Sequence, residues 1–254
     1  MRVIRLVTIP ISHFCEKARW ALDRSGLPYR EERHVQLFHY FAARRAGGGA
    51  TVPVMVLDGG RALADSTDIL QWLDGQAPGS LYPETRRARD EVLALEDRFD
   101  EVLGPATRRV VYFHILDRDD LLPYNNAGVP THERAALTLT LGVGFAVAKR
   151  LIRRRLRVAA GAIPGDVAAI RAVFDEVAGR VAGQRYLVDG RFTAADLTFA
   201  SLAAPMLLPA EYGSPLPDPG GVPQPLRDLV EEMRGHPAGA YALRLYREER
   251  RARA

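Results

Sequence analysis

Residues Ser12-His13-Phe14-Cys15-Glu16-Lys17-Ala18-Arg19 limit the possible folds of this chain more than any other stretch. They follow a β-rich run, Val3-Ile4-Arg5-Leu6-Val7-Thr8, through the loop Ile9-Pro10-Ile11, and they open an apolar-periodic run through Phe14, Ala18, Ala21 and Leu22. A short strand, a tight loop and a helix that begins with a hydroxyl and a thiol three residues apart form a thiol-handling geometry. The unpaired N–H groups and positive dipole end of such a helix favour an anion, and a thiolate is one.

The helix should stop at Ser25, because Gly26 can take the left-handed cap position and Pro28 cannot continue the helix. Tyr29 to Val35 reads as a second strand, Leu37 to Arg45 as a short helix, and Gly47-Gly48-Gly49 as a break. Val52 to Leu57 is a β-branched run closed by Asp58-Gly59-Gly60, a hairpin turn, after which Arg61 to Ala64 returns as its partner. Asp65-Ser66-Thr67 starts a helix whose apolar face is Ile69, Leu70, Trp72 and Leu73. The order β-α-β-α-β-β-α, with a right-handed crossover making the first two strands parallel and a hairpin adding an antiparallel pair, is an α/β thioredoxin-like N-terminal domain.

Gln76 to Thr85, with Pro78, Gly79 and Pro83, separates two composition regimes, so the expected domains are residues 1–76 and 86–254. Beyond the linker the pattern is helical throughout. Arg86 to Asp117 carries Val92, Leu95, Phe99 and Leu103 on one face and should bend at Gly104-Pro105. Thr131 to Arg157, Asp166 to Ala182 and Ala194 to Leu208 follow, then a Pro- and Gly-rich loop from Pro209 to Pro225 and helices at Leu226 to Met233 and Tyr241 to Arg250. The C-terminal domain is all-α.

Composition excludes several classes. A chain of 254 residues with one cysteine has no internal disulfide and no multi-cysteine metal site, which suits a reducing compartment. Arg5 interrupts the N-terminal apolar run, so no signal peptide is expected and the cytoplasm is the expected location. The longest uncharged runs, Ala135 to Ala148 and Leu197 to Ala210, are too short to span a bilayer and read as buried helices. The net charge is +4 and the positive charge is almost wholly arginine, a bias that follows codon composition as readily as function, and nucleic-acid binding is not inferred from it. The most basic segment, Lys149 to Arg157, reads first as a solvated helix face and second as a dock for acidic lipid or phosphate.

Each motif has a plain reading beside its chemical one. Ser12 caps the helix, or its hydroxyl donates to a ligand thiolate. A charge-assisted hydrogen bond of about 1.5–3 kcal/mol and a helix-terminus contribution of roughly 0.3–1, up to about 2 kcal/mol, would together lower a thiol pKa by about one to three units. Cys15 one turn on is an inert small hydrophobe, or the surviving cysteine of a redox motif. Val52-Pro53 is an extended pair whose peptide bond, if cis, leaves the Val52 backbone open to an extended peptide. Asp65-Ser66 is a helix cap, or a grip on a ligand carrying both an ammonium and a carboxylate. Thr193-Ala194-Ala195-Asp196 after Phe192 is a structural capping box with a possible staple to Leu197.

In this order and at these separations, Ser12 to Arg19, Val52-Pro53, Asp65-Ser66 and Thr193 to Asp196 resemble the cytosolic glutathione transferase family, and the resemblance covers most of the chain. It implies a serine-type member in which Ser12 is catalytic and faces the glutathione sulfur. Val52 ahead of Pro53 would pair with the cysteinyl part, Asp65 and Ser66 would hold the γ-glutamyl head, and Phe14 with Tyr112 would line an apolar cleft. It also implies glutathione as co-substrate, a hydrophobic electrophile or peroxide as second substrate, no metal, a detoxification role and a two-fold homodimer. A non-catalytic glutathione-binding scaffold and a thiol reductase using Cys15 are the rival readings. His13 stands where the family often has proline, and His39, Arg44 and Arg45 are alternative partners for the glycine carboxylate.

Overall fold

The computed structural model describes residues 3–139 and 143–251. Strands β1 (Ile4–Thr8), β2 (Tyr29–Arg33), β3 (Val54–Val56) and β4 (Ala62–Leu63) form one sheet in the order β2-β1-β3-β4. β1 and β2 are parallel, while β3 is antiparallel to both β1 and β4. Three helices join these strands: α1 (His13–Ser25), α2 (His39–Arg45) and α3 (Ser66–Gln76). Leu6 and Met55 face α1 and α3, whereas Val7, Val54 and Val56 face α2, the alternation that a strand's two-residue period imposes. Gly26 caps α1 at φ 67°, as its lack of a Cβ permits.

The helical part comprises α4 (Arg86–Arg98), α5 (Gly104–Ile115), α6 (Leu122–Asn125), α7 (Thr131–Leu139), α8 (Val143–Leu156), α9 (Ile163–Val181), α10 (Ala194–Ala203), α11 (Gln224–Gly235) and α12 (Pro237–Glu249). Together the two parts are an α/β thioredoxin-like domain followed by an all-α domain, the expected fold class. α10 is the central strut, with every residue buried. Its Asp196 takes both the N–H and the hydroxyl of Thr193, at 2.7 and 2.8 Å, together with the Leu187 N–H at 2.8 Å and the Tyr241 hydroxyl.

Some elements differ from expectation. The long helix from Arg86 does not simply bend at Gly104-Pro105; it widens into a π turn over Phe99–Leu103 before α5 begins. Pro105 has no N–H to give one turn back, and the wider turn absorbs the lost bond. The run Ala135 to Ala148 is not a buried helix. Leu139 and Val147 are 87% and 52% exposed, and no described residue of α7 or α8 joins the main core. The middle of that run, residues 140–142, lies outside the described residues, as do 252–254 at the end of the expected second domain. Leu197 to Ala210, by contrast, is largely buried. Among the described residues no helix is long and apolar enough to cross a membrane.

Candidate functional site

The strand register gathers the sequence motifs at one end of the sheet. Val7 pairs with Val54, so one step further the end of β1 faces Pro53. Met55 pairs with Leu63, so two steps further Pro53 faces Asp65. Because β2 runs parallel to β1, residues after His34 emerge at the same end. The Ile9–Ser12 loop, Val52-Pro53, Asp65-Ser66 and the segment entering α2 therefore share one rim, outside the carboxyl ends of the parallel strands.

Ser12 is the N-cap of α1, extended at φ −71°, ψ 120°, and its Oγ accepts the Cys15 N–H at 3.4 Å. Capping uses one lone pair and leaves the hydroxyl proton free to donate, so the two readings of Ser12 are compatible. Cys15 itself is fully buried. Burial pushes its thiol up to about 11, against the smaller opposing pull of the Ser12 hydroxyl, the Ile9 backbone and the Arg19 charge. The Val52-Pro53 peptide bond is cis, and Val52 lies just outside the ladder that begins at Val54. Asp65 is exposed and caps α3 by accepting the Thr67 N–H at 2.7 Å, whereas Ser66 is buried.

Behind this rim lies a charged cluster that the motifs did not announce. The Lys17 ammonium, fully buried, contacts Glu96 at 3.1 Å and donates to Asp100 at 2.8 Å and to the Thr67 hydroxyl at 2.9 Å. Glu96 also accepts from Tyr82 at 2.6 Å and Thr198 at 3.2 Å. Burial works against the Lys17 charge, but Glu96 and Asp100 outweigh it and hold the amine above its ordinary pKa. The one available signal was a lysine on the inward side of α1, a turn before Ala21. Among the described residues no cluster of His, Cys, Asp and Glu is arranged to hold a metal ion.

His13 and Phe14 turn toward α5. The His13 Nε2–H donates to the Gly104 carbonyl at 3.0 Å, and burial with the nearby Arg108 charge pushes the imidazole down to about 3, so it is neutral. The Phe14 ring lies where a Cβ on residue 104 would stand, 2.6 Å away, which is why a glycine occupies that position. Tyr112 donates to Gln36 at 3.1 Å and lines a cavity of about 260 Å³ with Gln36, Leu37, Ile115, Leu122 and Lys149. Phe14 and Tyr112 thus both face the seam between sheet domain and helices, but Phe14 is not on the wall of that cavity.

Of the three cations considered for a carboxylate, His39 is buried, accepts the Leu37 N–H at 3.2 Å, and is pushed by burial down to about 4. Neutral at physiological pH, it offers no charge. Arg44 and Arg45 are exposed on the last turn of α2. In the basic run, Lys149 pairs with Asp119 at 2.8 Å, Arg153 pairs with Asp117, and Arg155 stacks on Tyr40 at 4.7 Å. That segment is a partly neutralised helix face.

The chain thus joins a thioredoxin-like sheet domain with a serine-capped first helix to a helical domain with a capping box on its central helix. Residues 6–81 match the family model described as glutathione S-transferase, N-terminal domain. No curated protein matches the chain. Among solved structures, a possible glutathione S-transferase from Rhodopseudomonas palustris is 18% identical, covering 96% of this chain and 93% of its own at a TM-score of 0.60. A glutathione S-transferase of Ceriporiopsis subvermispora, in complex with glutathione, is 15% identical over 98% of both chains at a TM-score of 0.64. A theta class glutathione S-transferase from Xanthomonas axonopodis pv. citri, with glutathione bound, is 19% identical, covering 96% and 98%, at 0.55. Residues 6–81 therefore form a glutathione S-transferase N-terminal domain, and the chain as a whole has the glutathione transferase fold.

Proposed function

We propose that this protein is a serine-type glutathione transferase. Residues 1–76 bind glutathione, and residues 86–254 supply the second-substrate site and the contacts of a homodimer. Glutathione lies along the rim with its cysteinyl backbone beside Val52 and Pro53 and its γ-glutamyl head at Asp65 and Ser66. Ser12 donates its hydroxyl proton to the sulfur, and the start of α1 adds its dipole, so the thiol ionises near neutral pH. The thiolate then attacks an electrophilic carbon or a peroxide oxygen held against Phe14 and Tyr112. The reaction class, with a single buried cysteine, suits a reducing cytoplasm and a detoxification role.

The observation that carries this reading is the meeting of Ser12, Val52-Pro53 and Asp65-Ser66 at one sheet end. Glutathione-bound neighbours of the same fold support the choice of ligand. The test is Ser12→Ala. The pKa of bound glutathione, followed by thiolate ultraviolet absorbance, should rise by about one to two units, and conjugation turnover at neutral pH should fall in step. An unchanged pKa and unchanged turnover would remove Ser12 from its role.

A further inference from the structure

Arg108 is out of place electrostatically. Among the described residues it is the one arginine that is not exposed and yet makes neither a hydrogen bond nor an ion pair, and its Nε is buried without a partner. The other sheltered arginines are engaged: Arg19 and Arg250 grip Glu16, Arg33 holds Glu31, Arg109 holds Asp166, and Arg89 pairs with Asp74. Arg108 instead lies 5.8 Å from the centre of the Phe14 ring, with His13, Tyr112, Tyr40 and the like-charged Arg109 as its electrostatic neighbours. No carboxylate is among them. A half-sheltered guanidinium with aromatic neighbours and no counter-charge presents a planar fork of donors suited to a carboxylate.

The location identifies whose carboxylate. Phe14 is two residues from Ser12, and Arg108 on α5 lies beside Phe14 and His13, the residues that follow Ser12 in the chain. We propose that Arg108 is the recognition residue for the second substrate, which carries a carboxylate or equivalent anion at the end away from its electrophilic carbon. This rests on the glutathione transferase reading above. In the reaction itself the glutathione thiol loses its proton to solvent, sulfur forms a bond to the electrophilic carbon, and the leaving group departs with its electron pair. Arg108 holds the far, anionic end.

The experiment uses two chloronitroarenes, 1-chloro-2,4-dinitrobenzene and 4-chloro-3,5-dinitrobenzoate, with the wild-type chain, Arg108→Met and Arg108→Lys. Attack expels chloride from both, and only the second carries the carboxylate. Arg108→Met should lower kcat/KM for the benzoate by roughly ten- to a hundredfold, the range of a charged hydrogen bond, leave the neutral arene within about threefold, and leave KM for glutathione unchanged. Arg108→Lys should retain part of the benzoate rate. Equal losses on both arenes, a rise in KM for glutathione alone, or a change in oligomeric mass would overturn the assignment. Calorimetry with glutathione alone separates the two levels. Binding of glutathione with no benzoate preference overturns the role of Arg108 only, and no binding of glutathione overturns both readings.

Discussion

Cys15 offers a sharp test of which thiol this protein handles. A thiol at a helix N-terminus should be acidified, yet complete burial pushes this one from 9.0 up to about 11. Two units leave about a hundredfold less thiolate at any pH well below 9. Reaction with an alkylating agent also requires an opening that exposes the sulfur, which multiplies the protection. Alkylation of native protein with iodoacetamide at pH 8 should therefore run at least roughly a hundredfold slower than in urea, where the thiol is ordinary. Cys15→Ser should keep glutathione conjugation within about twofold, since isosteric loss of a non-reacting group removes no transition-state contact. A native rate within tenfold of the unfolded rate would refute the reasoning, and would restore a reductase in which Cys15 enters mixed disulfides.

Two further outcomes follow from the buried charges. Lys17→Met strands Glu96 and Asp100 and should cost about 3–5 kcal/mol of stability in urea denaturation, whereas adding Glu96→Gln should return part of that loss, because a broken buried pair is worse than none. The His13 imidazole stays neutral down to about pH 3, while the unfolded chain takes up that proton near 6.5. Stability should fall as pH drops through this window, and His13→Gln should remove up to about 1.4 kcal/mol per pH unit of that slope in urea titrations.

The sheet was legible because its signals are local. Asp58-Gly59-Gly60 demands a turn, with Gly59 and Gly60 at φ 101° and 91°, and that turn sets the register that brings Asp65 beside Pro53. Gly26, the Thr193–Asp196 box and the hydroxyl at Ser12 are likewise read from neighbours within a few residues. Arg108 was not legible, because its meaning lies in the absence of a carboxylate among side chains that only tertiary packing assembles. The same holds for His13, whose acceptor is the carbonyl of Gly104, and for Ala135 to Ala148, where apolar composition does not reveal whether a neighbouring element exists to cover it. Lys17 was partly legible: its inward position was written in the helix period, its carboxylate partners were not.

The loop between Pro209 and Pro225 shows how a segment far along the chain reaches the proposed chemistry. It is not a loose decoration. The Tyr212 hydroxyl donates to the Ile11 carbonyl at 3.1 Å, one residue before Ser12, and the Gly213 N–H reaches both oxygens of Glu16 at 3.1 Å. Glu16 is completely buried and also binds Arg19 and Arg250, while Arg33 on β2 donates to the Gly213 carbonyl at 2.9 Å. A Cβ at residue 213 would stand 2.4 to 2.7 Å from Arg19, Arg250 and Glu16, so only glycine lets the backbone enter this ring of charges. The helical domain therefore holds the β1–α1 loop from behind, through the helix that Ser12 caps. Ile11, the residue before Ser12, walls one small cavity together with Tyr212 and Leu216 of this loop and Leu208 just ahead of it. In the proposed enzyme this loop would fix the position of Ser12 from behind, while Arg108 would hold the anionic end of the electrophile.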